Sequence, residues 1–440
     1  MGNRFYIQSE CDLSERTALP CCLSFISLIK QSGLAMPNKL LLKKQMLLVL
    51  FAVTSVTVLI LHLSPWSSGI TTFDLGCHGF HSSPPQNLLP KHTNIVFLKT
   101  HKTGSSTMQN LLFRFAERHN LTVALPVEYC GHLFCYPSLF NSKFVHQHTV
   151  PPNIIASHLR FNKKELQRLM PKDSVYITIL REPGSMFESS FIYFNQLSQS
   201  FRKVPKSSLE TFLDDPLRYY QPSEQYSMCA HNMLTFDLGG EKDRASTDAA
   251  YADAFVAEVE KTFSLVMITE YFDESLILLR HLLSWDLDDI LYLELNMRSP
   301  SSKQSLTSEL TEKVRTWNSL DARLYDHFNA SLWRQLYALG PACVEMEIQT
   351  LRQARENLMK SCFGEEMPSL RSAAEIKNKR LRPWQPDGKG MIMGYDLPEH
   401  LPDSTRQLCL KLVMPENQYT NALLNSQSQR YKLRVSTQQP

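Results

Sequence analysis

Apolar positions along the chain alternate between short continuous runs and recurrences at helical spacing. Ile95 to Leu98 is an unbroken apolar run of strand length, and Met108, Leu111, Leu112 and Phe115 then recur every three to four residues, predicting a helix. Asn153 to Ser157 is a second short apolar run, followed by a helical pattern through Leu166, Leu169 and Met170. Ser174 to Leu180, β-branched and aromatic, is the clearest strand; Met186, Phe187, Ser190, Phe191 and Phe194 predict a helix after it. Leu265 to Thr269 reads as another core strand, between a helix ending at Phe263 and a strongly apolar one from Asp273 to Trp285. Shorter or longer helices are predicted over Leu209 to Leu213, Thr311 to Phe328 and Leu332 to Leu358. Strands interleaved with helices imply an α/β domain: a central, mainly parallel sheet flanked by helices, with ligand sites at the strands' carboxyl ends and a helical C-terminal portion.

The segments outside this pattern set the compartment. Met46 to Leu63 carries no charged residue, is close to the minimum length of a membrane span, and follows Lys39, Lys43 and Lys44. It predicts a type II signal anchor over 46–63, with residues 1–45 as a cytoplasmic tail; a cleaved signal peptide is the rival. Residues 64–91 lack periodicity and read as a lumenal stem, 92–420 as the catalytic domain, and 421–440 as a polar, disordered tail. Whether the residues before Met36 belong to the natural product is left open. Cys130 to His148 reads as an irregular excursion. Seven cysteines follow the anchor, an odd number that leaves one outside any intrachain pairing, and Cys362 with Cys409 is the favoured pair. Asn120-Leu121-Thr122 and Asn329-Ala330-Ser331 are glycosylation sequons suited to a secretory protein. A net charge of +3 is too mild for a nucleic-acid partner, which usually needs a basic stripe.

Two strand ends carry candidate chemistry. After the first strand, Lys99 and Lys102 flank Thr100-His101, and Thr103-Gly104-Ser105-Ser106-Thr107 opens the helix. Free amides and the helix dipole favour an anion there, and the lysines add charge. A Walker A loop would place its lysine after the second glycine, whereas Lys102 precedes Gly104. The plainer alternative is a solvated turn with a hydroxyl cap, but one cap does not need a cation, a glycine and four hydroxyls within six residues. After the second clear strand, Arg181 is followed eight residues on by Ser189, close enough on a helix to converge on one phosphate. An ion pair of Arg181 with Glu182 or Glu188 is the structural alternative. His158, near a strand end, is a candidate acid or base with a structural role as its rival. Arg298 and Lys303 read most simply as solvated surface charges.

Two anion sites on one sheet suit a ligand with phosphates at both ends. The combination resembles the sulfotransferases that use 3′-phosphoadenosine 5′-phosphosulfate, and so implies their P-loop-like fold. Longer strings are similar to the Golgi galactose-3-O-sulfotransferases: Phe97 to Thr103, Leu159-Arg160-Phe161, Glu188 to Phe191, Glu270 to Leu276, Leu320-Asp321 with His327-Phe328-Asn329, and Leu412 to Tyr419. Arg118 to Pro126 looks nearest the second type of that family. The resemblance implies that Lys99, Lys102, Thr103, Gly104, Ser105, Ser106 and Thr107 hold the 5′-phosphosulfate, that Arg181 and Ser189 hold the 3′-phosphate, and that Lys102 neutralises the leaving phosphate. It implies His158 as the base, with His101 as its competitor, and transfer to the 3-hydroxyl of a terminal β-galactose on glycoproteins or glycolipids, without a metal, in the Golgi lumen. The alternatives from the residues are a P-loop-like nucleotide kinase, which should show a Gly-Lys-Ser/Thr step, and a non-catalytic glycan-binding protein.

Overall fold

The computed structural model describes residues 90–364, 368–386 and 392–437, all within one unit that spans Ser82–Pro440. The expected tail over 1–45, anchor over Met46 to Leu63 and most of the stem lie outside the described residues. Among the described residues no helix is long and apolar enough to cross a membrane.

Five strands form one wholly parallel sheet: β1 (Ile95–Leu98), β2 (Val123–Ala124), β3 (Ile154–Ile155), β4 (Val175–Leu180) and β5 (Leu265–Ile268). Their spatial order is β2-β3-β1-β4-β5. Ile95 pairs with Ile154 on one side and with Val175 on the other, so β1 is central. Ile95, Val96, Phe97 and Leu98 are all fully buried, because helices cover both faces. That is why the sequence there is continuously apolar and does not alternate. Each such side chain contributes about 1.5–3 kcal/mol through the area it removes from water. β2 lies outside the strands expected from sequence: two paired residues, in a short apolar stretch ended by Pro126, give no periodic signal.

From β1 the chain moves outward to β2 and returns through β3, then crosses to the other side of β1 for β4 and β5. The direction of winding therefore reverses at β1. The connection from β1 leads toward β2 and that from its neighbour β4 toward β5, and the crevice between their carboxyl ends is the usual ligand position in such sheets. The loops after β1, β3 and β4 all reach this edge.

The helices follow as α1 (Ser105–Arg118), α2 (Lys163–Leu169), α3 (Pro183–Tyr193), α4 (Gln199–Arg202), α5 (Leu209–Asp214), α6 (Pro216–Tyr219), α7 (Met233–Asp237), α8 (Ala249–Thr262) and α9 (Phe272–Leu283). The C-terminal portion is helical as expected, with α10 (Ser308–Trp317), α11 (Ser319–Leu339), α12 (Pro341–Phe363), α13 (Asp403–Val413) and α14 (Glu416–Thr437). The helix expected from Thr311 to Phe328 is broken at Asn318, whose carbonyl oxygen Oδ1 accepts the Asn232 amide at 2.8 Å. The one expected over Leu332 to Leu358 is broken at Gly340, in a positive-φ conformation (φ 96°) ahead of Pro341.

The expected disordered tail is instead ordered through Thr437 as α14. Tyr419, Leu423 and Gln427, four residues apart, form its buried face. Gln427 accepts the Val123 amide at 2.7 Å and donates to the Val123 carbonyl at 3.1 Å. A glutamine side chain thus satisfies the open edge of β2. Hydropathy counts this residue as solvent-facing.

A second small core gathers Leu293, Met359, Ile376, Leu381, Tyr395 and Leu412 around a Cys362–Cys409 disulfide, the pair favoured from sequence. A two-stranded antiparallel sheet of β6 (Arg371–Ser372) and β7 (Met393–Gly394) lies in the same region. Cys130 pairs with Cys135, Cys343 is also disulfide-bonded, and Cys229 is a buried free thiol.

Candidate active site

The loop after β1 turns through two positive-φ residues, Lys102 (φ 60°) and Gly104 (φ 72°), before α1 begins. A Cβ at Gly104 would have room, its nearest neighbour being Thr269 Cγ2 at 3.7 Å, so the glycine serves the backbone angle. α1 has no side-chain cap at its start, and Thr107 is the first residue whose amide bonds back, to the Gly104 carbonyl at 3.0 Å. The amides of Gly104, Ser105 and Ser106 find no acceptor among the described residues. Donors left open at a helix start are an anion cradle. Thr107 is committed elsewhere: its hydroxyl accepts the Leu295 amide at 3.0 Å. Thr103 bonds Thr100 Oγ1 at 2.9 Å and stiffens the turn.

The cations are held apart from carboxylates to different degrees. Lys102 Nζ rests 3.5 Å from the Tyr193 ring centroid, and no carboxylate lies in ion-pair distance of it among the described residues. Burial, then the charges of Arg298, Arg181 and Lys99, push its pKa well below that of an ordinary lysine. A cation under such pressure gains from any anion that enters. Arg181 likewise has no ion-pair carboxylate among the described residues, against the alternative read from sequence. Its Nε donates to Ser185 Oγ at 3.1 Å and its Nη1 to the Lys102 carbonyl at 3.0 Å. The second loop thus braces the first. Ser189 is buried on α3, two turns on, and no hydrogen bond joins it to Arg181.

Lys99 is 2% exposed. Its ammonium contacts Ser106 Oγ at 3.3 Å, His158 Nε2 at 2.9 Å and Glu416 Oε2 at 3.2 Å, and burial lowers its pKa despite Glu416. Glu416, at the first position of α14, also accepts from Ser106 Oγ at 3.0 Å. Part of the cradle is therefore already answered by the chain's own carboxylate.

Both histidines face this edge, stacked with ring centroids 3.9 Å apart. His158 Nδ1 lies 2.8 Å from the Lys99 carbonyl, which can only accept, so Nδ1 carries the proton and the Nε2 lone pair faces Lys99 Nζ. Burial, then His101 and Lys99, hold the His158 pKa well below the usual histidine range. His101 has the same tautomer with a stronger acceptor behind it and, among the described residues, no cation in front. Its Nδ1 lies 3.0 Å from the fully buried carboxylate of Asp237, which also accepts the His101 amide at 2.8 Å and the Tyr136 hydroxyl at 2.7 Å. Nδ1 then carries the proton, and Nε2 has a lone pair with no partner among the described residues. Asp237 closes α7, whose first amides, Leu234 and Thr235, donate to buried Asp321 at 3.0 and 2.8 Å.

Arg298 is not the solvated charge expected from sequence; Lys303 is exposed, as read. Arg298 is 6% exposed and pairs with buried Glu188 at 2.5 Å, while the Gln304 amide donates to Glu188 at 3.0 Å. Of the two sequons, Asn120 is exposed beyond α1, whereas Asn329 lies inside α11 with its carbonyl oxygen buried. Asp237, Glu416 and Tyr193 carry no role in the sequence analysis, and Glu188 figures there only as a partner for Arg181. Glu188 pairs with Arg298 and not with Arg181; Glu416 lay within a quoted string, and Asp237 lay in none.

An open amide cradle with unpaired cations, beside a histidine pair at the sheet's switch point, is the equipment of an enzyme that moves a group off a phosphorylated donor. The chain belongs to the galactose-3-O-sulfotransferase family, whose profile, described as Galactose-3-O-sulfotransferase, matches residues 28–427, and it is therefore a sulfotransferase. Galactose-3-O-sulfotransferase 3 of Mus musculus is 53% identical over 395 residues, covering 89% of this chain and 91% of the relative. Galactose-3-O-sulfotransferase 2 of Homo sapiens is 45% identical over 334 residues, 75% of this chain and 82% of the relative. Galactosylceramide sulfotransferase of Mus musculus is 41% identical over 337 residues, 75% and 78% respectively. The likeness to the second type read from sequence is corrected: the third type matches at higher identity and over more of the chain. The short string that suggested otherwise weighs little beside a full-length match. The kinase and non-catalytic alternatives give way to the family.

Proposed function

We propose that the protein transfers a sulfuryl group from 3′-phosphoadenosine 5′-phosphosulfate to the 3-hydroxyl of a terminal β-galactose on glycoprotein or glycolipid glycans. The observation that carries this is the set of cations and amides without anionic partners beside a histidine with an open lone pair. The residues fit the donor. Gly104, Ser105 and Ser106 would give amides to its 5′-phosphate, and Lys102 would sit against the same group. Arg181, with Ser189 on α3, would take the 3′-phosphate. Bound there, the nucleotide supplies an activated sulfuryl group.

The chain's own residues handle charge and proton. Lys102 offsets the charge that gathers on the departing phosphate, an interaction that grows toward the transition state. The acceptor hydroxyl's proton goes to the stacked pair. The hydrogen bonds favour His101 Nε2, because Asp237 fixes its tautomer and steadies the imidazolium that forms. His158, the base expected from sequence, becomes available only when Lys99 leaves its Nε2 for the donor. We assign the protein to the Golgi membrane, with Met46 to Leu63 as anchor and the catalytic domain lumenal. The test is transfer of labelled sulfate from the donor by the purified protein to a lactosamine acceptor, with the linkage of the product determined. A 3-sulfated galactose is expected; no transfer, or sulfate at another hydroxyl, refutes the assignment.

A further inference from the structure

A row of rings leads away from the cradle. His158 stacks on His101 at 3.9 Å, His101 lies 4.6 Å from Tyr136, and Tyr136 meets Phe236 edge-on at 5.9 Å. The Arg160 guanidinium then lies 4.0 Å over the Phe236 ring. Lys99 and the donor cradle are at one end of this row. At the other end a cleft of about 770 Å³ opens, lined among others by Ser138, Arg160, Gln225, Phe236 and Glu241. That volume falls within the roughly 300–1,000 Å³ of small-molecule sites.

The cleft's chemistry suits one class of ligand. Its lining includes three carboxylates (Glu224, Glu241 and Asp243) and three cations (Arg160, Lys242 and Arg244), so no single sign prevails and a nucleotide gains little. Sugar hydroxyls donate and accept at once, and a mixed rim with an aromatic wall answers both. Arg160 also holds an unused donor. Its Nη2 reaches the Gly240 carbonyl at 3.3 Å, but its Nε is buried without an acceptor. A buried donor left open costs about 1–3 kcal/mol unless a ligand or water meets it.

We propose that this cleft binds the inner sugars of the acceptor, those next to the terminal galactose, while the galactose itself stays at the histidine pair. The proposal rests on the sulfotransfer reading. It makes the excursion around Ser138 and the loop around Gln225 the source of preference among glycans that share a terminal β-galactose.

The test compares methyl β-galactoside with a neutral trisaccharide ending in β-galactose, using wild type, Ser138→Trp and Gln225→Ala; both residues are exposed and outside the catalytic machinery. Wild type should favour the trisaccharide in kcat/KM by at least about tenfold, the worth of one or two hydrogen bonds. Each variant should lose about five- to tenfold for the trisaccharide, chiefly in KM, and stay within twofold for the monosaccharide. Equal use of the two acceptors by wild type, or equal loss on both in the variants, overturns the subsite. Saturation-transfer NMR of the trisaccharide, without donor, separates the two readings. If wild type sulfates neither acceptor, the reaction assigned above falls, and binding weakened by Ser138→Trp still supports the cleft. Binding that is absent or unchanged overturns it.

Discussion

Asp237→Asn is the substitution whose consequences follow most directly from the geometry. The carboxylate is fully buried and accepts from three donors: the His101 amide at 2.8 Å, His101 Nδ1 at 3.0 Å and the Tyr136 hydroxyl at 2.7 Å. An asparagine keeps one acceptor oxygen, and the fixed His101 amide claims it. The new NH₂ then faces Tyr136, whose hydroxyl can rotate to accept, and His101 Nδ1, which must give up its proton and become an acceptor. The proton moves to Nε2, the atom that should receive one. All three charge-assisted bonds also become neutral ones, at about 1 kcal/mol each, so the fold should lose about 3 kcal/mol and persist. Loss of a positioned base costs about 10²–10⁴ in rate, and 10³ corresponds to about 4 kcal/mol of barrier. The assay is kcat for sulfate transfer at saturating donor and acceptor, beside calorimetric binding of 3′-phosphoadenosine 5′-phosphate. Turnover should fall about a thousandfold while nucleotide affinity stays within about threefold. A folded variant with kcat within threefold of wild type would refute the dyad and return the role of base to His158.

Two further substitutions probe the supports of the site. Arg298→Met leaves the buried Glu188 carboxylate without its cation and should destabilise by about 3–5 kcal/mol in urea unfolding, with Glu188→Gln on the same chain recovering much of it; an unchanged midpoint would contradict the pair's burial. Burial raises the pKa of Asp321 from 3.8 to about 6. Between those values the folded chain keeps a proton that the unfolded chain has lost, so this group's contribution to stability falls as pH rises from about 4 to about 6 and is level above. Asp321→Asn lacks that fall, so its unfolding free energy should rise relative to wild type by about 3 kcal/mol across the same interval. A constant difference would show that Asp321 does not titrate there.

The parts of this molecule that could be read from sequence are those governed by continuous apolar runs and by local loop chemistry. β1 is a continuous apolar run buried throughout, and β4 is a β-branched and aromatic run buried over its last four residues; the strand-end positions of Lys102, His158 and Arg181 follow once the strands are placed. What escaped depends on partners distant in sequence. Asp237 meets His101 across 136 residues, and Gln427 closes the edge of β2 across 304. Arg298 reads as a surface charge until Glu188, 110 residues away, buries it. Nothing in the residues around these groups encodes such contacts, because a polar side chain with a buried partner has the same sequence signature as one in water. The breaks at Asn318 and Gly340 were local and legible in principle: glycine followed by proline is a helix boundary by itself.

Lys102 is the cation proposed to stabilise the departing phosphate. Its most direct test is single-turnover transfer of labelled sulfate to a terminal β-galactoside, comparing wild type with Lys102→Ala at donor concentrations that saturate each. Loss of a preorganised charge at a leaving group costs about 10²–10³ in rate. Transfer by wild type with a variant slower by that factor is the predicted result. Equal rates, or a deficit removed entirely by raising the donor concentration, would contradict it.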